Sequence, residues 1–473
     1  MDEVTKAMVA RMPMAEAMLW LWRWLIGAER WLRIWNVHRG RCYQKKITFP
    51  VLVQLIGDAL LLHQGSGRRS FEKARERGEL PATIAAAYRK LGRLPLPLSE
   101  AFLAENASLL RTLFPRGARR QLPRSLRRFQ VVILDGKSIK NVARRLKALR
   151  KASGGLLGGR ALVALDWRTS LAVAMRVHPD GDANEVALVG DLVPEVRKII
   201  AGARLWLVDR AFCDLTQPAH FQKHGDHYLV RYHPKVKFHA DPKRPARTGR
   251  DQHGRTYTEQ WGWLGGPEDP RRQAVRLLTL PKVTDGGKKD LILVTDLLDG
   301  DEYPAADLLA MYAERWGIEN MFQQVTEVFG LAALIGGTPQ ACLFQFAFCL
   351  LLYDMIQIVR AFVAEAQHRK CEELSSEKLF DDVEKQLISW YVMLDAETTV
   401  AYFEHVPNVD QLQRRLQKLL ASPWSETWLK SPPPKNPRRQ RETTKKREHS
   451  SVYRILQESC SRSRKTAGST KPP

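Results

Sequence analysis

Tyr312, Arg315 and Glu319 sit within one short stretch, Tyr312-Ala-Glu-Arg315-Trp-Gly-Ile-Glu319-Asn-Met-Phe322, where an acid is framed by aromatic, basic and apolar neighbours. At i, i+3 and i+7 the three share one face of a helix, while Met311, Ile318, Phe322 and Val325 form an apolar stripe beside them for a core. Two more acids close β-rich runs: Asp135 ends Phe129-Gln-Val-Val-Ile-Leu-Asp135, and Asp209 ends Leu205-Trp-Leu-Val-Asp209. Gly136, a residue that commonly turns a chain, follows the first, and Arg210 follows the second. Carboxylates drawn from three separate elements suit a hard cation such as Mg²⁺, which prefers carboxylate oxygens and retains water and substrate phosphate in its shell. Acids facing a nucleic acid repel it unless cations stand between them, so converging carboxylates in a basic protein point to metal. A pair of such ions about 3.5 to 4 Å apart activates an attacking oxygen and stabilises a leaving one. The rivals for the metal positions are Asp166, Asp214 and Asp296, of which Asp166 reads as part of a plain hairpin turn with Trp167 and Arg168.

The basic character is pronounced. The 473 residues carry a formal charge of +24 at pH 7, and 44% of them are hydrophobic. That is a folded protein whose partners are expected to be rich in phosphate, with nucleic acid the usual one. Six scattered cysteines with no CxxC pair argue against a disulfide framework or zinc site and fit a reducing cytoplasm. His38, His63, His178 and His220 show no metal-ligand spacing. The apolar run from Ala15 to Trp22 is interrupted by Glu16 and is no signal peptide. Ala341 to Ile358 is the most apolar segment but contains Gln345, Asp354 and Gln357, so a buried core helix is expected and no membrane span.

The elements that must position the acids follow from periodicity and punctuation. Residues 1–125 read as an all-helical N-terminal region, with helices at Ala15 to Val37, Phe49 to His63, Phe71 to Arg77, Pro81 to Leu91 and Ser99 to Phe114. Its crowded tryptophans, Trp20, Trp22, Trp24, Trp31 and Trp35, fit a packing face better than a base-stacking platform. After a basic hinge, residues 126–232 and 288–366 alternate strands with helices, the pattern of an α/β domain with a mixed sheet. One long helix is expected from Asp307 to Phe329. Between the two halves of that core, residues 233–287 look like a β-rich insertion. Its Trp261 and Trp263 suit ordinary packing more than stacking on a base. Residues 367–430 read as C-terminal helices and 431–473 as a basic disordered tail, in which Arg438 to Arg447 is either a track for DNA phosphates or a solvated run.

In this order, strand-Asp-Gly, strand-Asp-Arg, β-insertion and a helix with Tyr312-x2-Arg315-x3-Glu319, the chain resembles the DDE transposases of the insertion sequence 4 family from about Phe129 to Ile358. The resemblance implies a ribonuclease-H-like mixed-sheet core. It implies that Asp135, Asp209 and Glu319 bind two divalent ions, Mg²⁺ or Mn²⁺, and that Tyr312 and Arg315 contact phosphates near the element end. It also implies double-stranded DNA as partner, a homodimer in the DNA complex, and a bacterial, nucleoid-associated location. Two departures stand out. The family signature continues x6-Lys after the glutamate, where this chain has Thr326, and its second aspartate motif reads Asp209-Arg-Ala-Phe212 in place of the common Gly and Tyr. Either another cation, such as Lys137 or Arg210, takes the lysine's part in binding DNA, or the enzyme is weakened. The alternatives to a transposase are therefore a transposase-derived DNA-binding protein without catalysis and a metal-dependent nuclease without strand transfer.

Overall fold

The two apolar runs that end on Asp135 and Asp209 become neighbouring strands inside one large sheet, and the remaining elements cover it. The computed structural model describes residues 3–25, 27–281, 283–284, 287–288, 290–405, 407–431 and 448–468. The N-terminal region is helical: α1 (Glu3–Val9), α2 (Pro13–Leu25), α3 (Ala28–His38), α4 (Phe49–Leu61), α5 (Gly67–Glu76), α6 (Ile84–Leu91) and α7 (Leu96–Leu113). Thr48, Ser66 and Thr83 begin α4, α5 and α6 by accepting a hydrogen bond from the amide three residues on, which satisfies one of the amides a helix start leaves unpaired. The helix expected from Ala15 to Val37 is divided into α2 and α3, with Gly27 as the residue before α3. Trp20, Trp24, Trp31 and Trp35 are buried, and Trp31 and Trp35 pack against Phe49, as a packing role requires.

The strands are β1 (Gln130–Ser138), β2 (Gly155–Leu157), β3 (Arg160–Asp166), β4 (Leu171–His178), β5 (Arg204–Val208), β6 (His227–Arg231), β7 (Phe238–Ala240), β8 (Arg247–Arg250), β9 (Thr256–Leu264), β10 (Gln273–Leu280), β11 (Val283–Thr284), β12 (Gly287–Lys288), β13 (Leu291–Thr295) and β14 (His449–Ser451). Among the described residues ten of them form one mixed sheet in the order β4-β3-β1-β5-β6-β13-β10-β9-β7, with β8 paired to β9. β1, β3 and β4 are antiparallel, and β1, β5 and β6 run parallel. Val131 to Leu134 and Arg204 to Val208 are buried throughout, the mark of central strands covered on both faces. The strands of the segment read as an insertion extend this same sheet, because β10 pairs with β13 and β13 with β6.

On the faces lie α8 (Val189–Ile199), α9 (Pro218–Phe221), α10 (Ala305–Ala313), α11 (Trp316–Glu327) and α12 (Pro339–Ala366), followed by α13 (Ser376–Met393), α14 (Ala396–Tyr402) and α15 (Val409–Leu419). α12 is long and apolar enough to cross a membrane, and its most apolar stretch is wholly buried in the fold. The single helix expected from Asp307 to Phe329 is corrected to α10 and α11. Between them Glu314 and Arg315 donate their amides three residues back, to Met311 at 3.1 Å and Tyr312 at 3.0 Å, and this tighter winding breaks the α-helical course.

The tail also differs from expectation where it is described. The run Arg438 to Arg447 lies outside the described residues. Beyond it β14 pairs in parallel with β2, and α16 (Val452–Gly468) follows. Ser451 and Val452 are buried, Ile455 and Leu456 pack against the core, and Arg454 pairs with Asp180 at 2.7 Å. A few apolar residues on one face thus anchor a segment whose average composition is polar.

Candidate active site

The parallel register pairs Leu134 of β1 with Val208 of β5, so Asp135 and Asp209 are the next residues on adjacent strands, which run about 4.8 Å apart. α10 brings Tyr312 to the same place: its hydroxyl donates to the Val208 carbonyl oxygen at 3.3 Å. Glu319 comes from the first turn of α11. Arg315, in the break between the helices, joins the acids. Its Nη2 donates to Glu319 Oε1 at 2.5 Å, and its Nη1 stands 3.5 Å from Asp135 Oδ2, close enough for an ion pair but without hydrogen-bond geometry. The break therefore matters to the site, since it turns Arg315 inward to 7% side-chain exposure while Trp316 beside it is 61% exposed.

Electrostatics follow from this crowding. Burial raises the Asp135 carboxyl to about 6, opposed by Arg315 and by the Gly136 amide, and reinforced by the charges of Glu185 and Glu319. Burial works against the Arg315 charge, yet Tyr312, Asp209, Glu319 and Asp135 hold the guanidinium above the ordinary arginine value. Tyr312 is pushed above the ordinary tyrosine range, first by burial, and is neutral at physiological pH.

Asp209 Oδ1 is buried with no hydrogen-bond partner among the described residues. A buried oxygen of this kind calls for a donor or a cation. Among the described residues no three Asp, Glu, His or Cys side chains are already arranged to hold a metal. The Arg315 guanidinium is the cation between Asp135 and Glu319. The donor set, carboxylate oxygens with one unsatisfied, fits a hard divalent ion, provided Arg315 yields.

The other expected contacts lie around this centre. Lys137, two residues along β1 from Asp135, holds its ammonium 5.5 Å from the centre of the Phe322 ring, and burial lowers its pKa. Thr326, in the position of the family's lysine, turns its hydroxyl back to the Phe322 carbonyl oxygen at 2.7 Å. Arg210 is exposed beside Asp209. The rival acids have structural partners: Asp166 pairs with Arg111 at 2.9 Å, Asp296 accepts from the Tyr228 amide at 2.9 Å, and Asp214 accepts from Thr216 and Gln217 amides. Trp261 is buried and donates to the Leu298 carbonyl oxygen at 2.8 Å, which is a packing role.

Gly136 corrects a local expectation. It does not turn the chain, because β1 continues through it to Ser138. A Cβ on Gly136 would meet the carboxylate of Glu185. Sequence reasoning missed Glu185, and its one signal was the glycine after Asp135 inside a β-rich run.

No curated protein matches the sequence. Among solved structures, the cryo-EM structure of the piggyBac transposase synaptic complex with hairpin DNA is similar at 12% identity over 87% of this chain and 87% of that one, with a TM-score of 0.36. Residues 127–355, from just before β1 into α12, match the model of a family described as the transposase DDE domain, and this stretch holds Asp135, Asp209, Tyr312, Arg315 and Glu319.

Proposed function

We propose that this protein is a DNA transposase of the DDE type, resembling the insertion sequence 4 family. It would bind double-stranded element ends, cut phosphodiester bonds and join the 3′ ends to target DNA. The observation that carries this reading is one buried arginine, Arg315, paired with Asp135 and Glu319, with Asp209 at the end of the strand beside Asp135, all within the segment that matches the transposase family. The order β4-β3-β1-β5-β6, antiparallel and then parallel, supports a ribonuclease-H-like core.

In this reading Asp135, Asp209 and Glu319 are the ligands of two divalent ions, Mg²⁺ or Mn²⁺. The chemistry such ions supply when bound is polarisation of the attacking oxygen and stabilisation of the leaving one. Arg315, released from the acids, pairs with a phosphate of the strand in the site. Tyr312 fixes the end of β5 and with it Asp209. Lys137 and Arg210 supply positive charge beside the acids, which offsets the bare side chain of Thr326. Two ends must be paired for transposition, so a homodimer in the DNA complex belongs to the proposal.

The test is cleavage and joining of a duplex carrying the element's own terminal repeats. Wild type is expected to cut and join only with Mg²⁺ or Mn²⁺, and Glu319→Gln to lose on the order of a hundredfold or more of that rate while still binding the duplex. No metal-dependent cutting by wild type overturns the enzyme reading in favour of a DNA-binding descendant. Cutting without joining identifies a nuclease.

A further inference from the structure

Glu185 opens the short turn Glu185–Leu188 that leads into α8, and its carboxylate lies directly on the strand that carries Asp135. A Cβ built on Gly136 would stand 1.7 Å from Glu185 Oε2 and 2.3 Å from its carboxyl carbon. A side chain at position 136 would displace the Glu185 carboxylate from the strand. The Gly136 amide donates to Asp135 Oδ1 at 2.8 Å, so the backbone that Glu185 presses against is the one that seats the Asp135 carboxylate.

Glu185 is itself held. Arg160 of β3 pairs with its carboxylate and also donates to Ser138 Oγ on β1 at 2.6 Å. Asn184 fixes the start of the turn by accepting from the Val186 amide at 3.1 Å. The Glu185 side chain is 13% exposed. Burying a charge is unfavourable even when it is paired, and an uncharged side chain of the same shape would cover Gly136 equally well.

We propose that Glu185 is a positioning residue for Asp135: clamped by Arg160 against the Gly136 backbone, it fixes the amide that orients the Asp135 carboxylate and places a negative charge behind it that strengthens cation binding. The proposal rests on the reading of Asp135, Asp209 and Glu319 as cation ligands. Groups that orient and polarise a metal ligand change its affinity by about ten- to a hundredfold when replaced.

The experiment is Mn²⁺ binding to the full chain without DNA, read by electron paramagnetic resonance of the free ion, with thermal unfolding measured in parallel. Glu185→Gln, which keeps the shape and removes the charge, is expected to bind Mn²⁺ about tenfold more weakly, and Glu185→Asp to recover part of the loss. Asp209→Asn is the control for the ligand reading. Wild-type affinity in folded Glu185→Gln, with Asp209→Asn weakened, overturns the proposal and leaves the ligand reading standing. Unchanged affinity in Asp209→Asn overturns the ligand reading, and the proposal with it. Should Glu185→Gln unfold, Gly136→Ala serves instead, since it keeps the charge but pushes it off the strand. Wild-type affinity there also overturns the proposal.

Discussion

Arg315 is the residue on which the candidate site turns. It is buried, pairs with both Asp135 and Glu319, and leaves its Nε and Nη1 without hydrogen-bond partners among the described residues. Unsatisfied donors on a buried cation are unfavourable, so the arrangement leaves Arg315 with donors to offer a phosphate. Lys137 belongs to the same scale. Its ammonium rests near Phe322, one turn from Glu319, while Thr326 spends its hydroxyl on its own helix. If Lys137 meets DNA phosphate, Lys137→Gln is expected to weaken duplex binding uniformly across sequences and to reduce the salt-dependence slope by about one. Fluorescence anisotropy over a salt series measures both, and an unchanged slope would remove Lys137 from the DNA contact.

At the scale of elements, buried acids show where the helices are fastened to one another and to the sheet. Asp354 of α12 is fully buried and accepts from the Ala172 amide of β4 at 2.8 Å, beside the register shift that β4 makes against β3. The extra residue of such a bulge loses its ladder partner, and a side chain from the covering helix supplies an acceptor there. Asp58 of α4 gives a pH dependence. Burial raises its carboxyl to about 6, with Gln54 and Arg77 opposing the shift. The folded chain thus holds this proton more tightly than the unfolded chain, so the associated stability is present below about pH 4 and is lost as pH rises through about 6. Asp58→Asn retains an acceptor for Gln54, which donates to Asp58 Oδ1 at 2.7 Å. It is expected to be more stable than wild type by about 2 kcal/mol at pH 8 and to show no gain at pH 4. Urea unfolding at the two pH values checks this, and an equal difference at both would refute it.

For the whole molecule, the C-terminal segment closes on the turn that follows β4. Ser451 Oγ accepts from the Gly181 amide at 3.3 Å, and Arg454 pairs with Asp180 and Asp182. These contacts fasten the turn that leads directly into Asn184 and Glu185. Removing residues 448–473 is expected to lower stability by about 1 to 3 kcal/mol through the lost burial of Val452 and the freed amide. It is also expected to speed hydrogen exchange at 179–185 without changing exchange in α13. Mass-spectrometric exchange on the truncated chain measures this, and unaltered protection at 179–185 would separate the tail from the site.

Some of this was legible in the sequence alone, because it depends on short-range pattern. The helical N-terminal region, the β-runs ending on Asp135 and Asp209, and the buried apolar helix follow from periodicity, punctuation and burial preference. The grouping of Tyr312, Arg315 and Glu319 was legible too, though as one helical face. Only the tertiary structure decided that the helix breaks at Arg315, since one partner of its buried guanidinium, Asp135, lies on a strand far away in sequence. It also decided that Gly136 stays within a strand and that Glu185 covers it. A glycine required by close approach and one required by a turn look alike in a sequence, and only the neighbour that fills the space distinguishes them. The folded end of the tail has the same cause: His449 to Ser451 find their partners in β2, and Val452 its burial, only when segments distant in sequence meet.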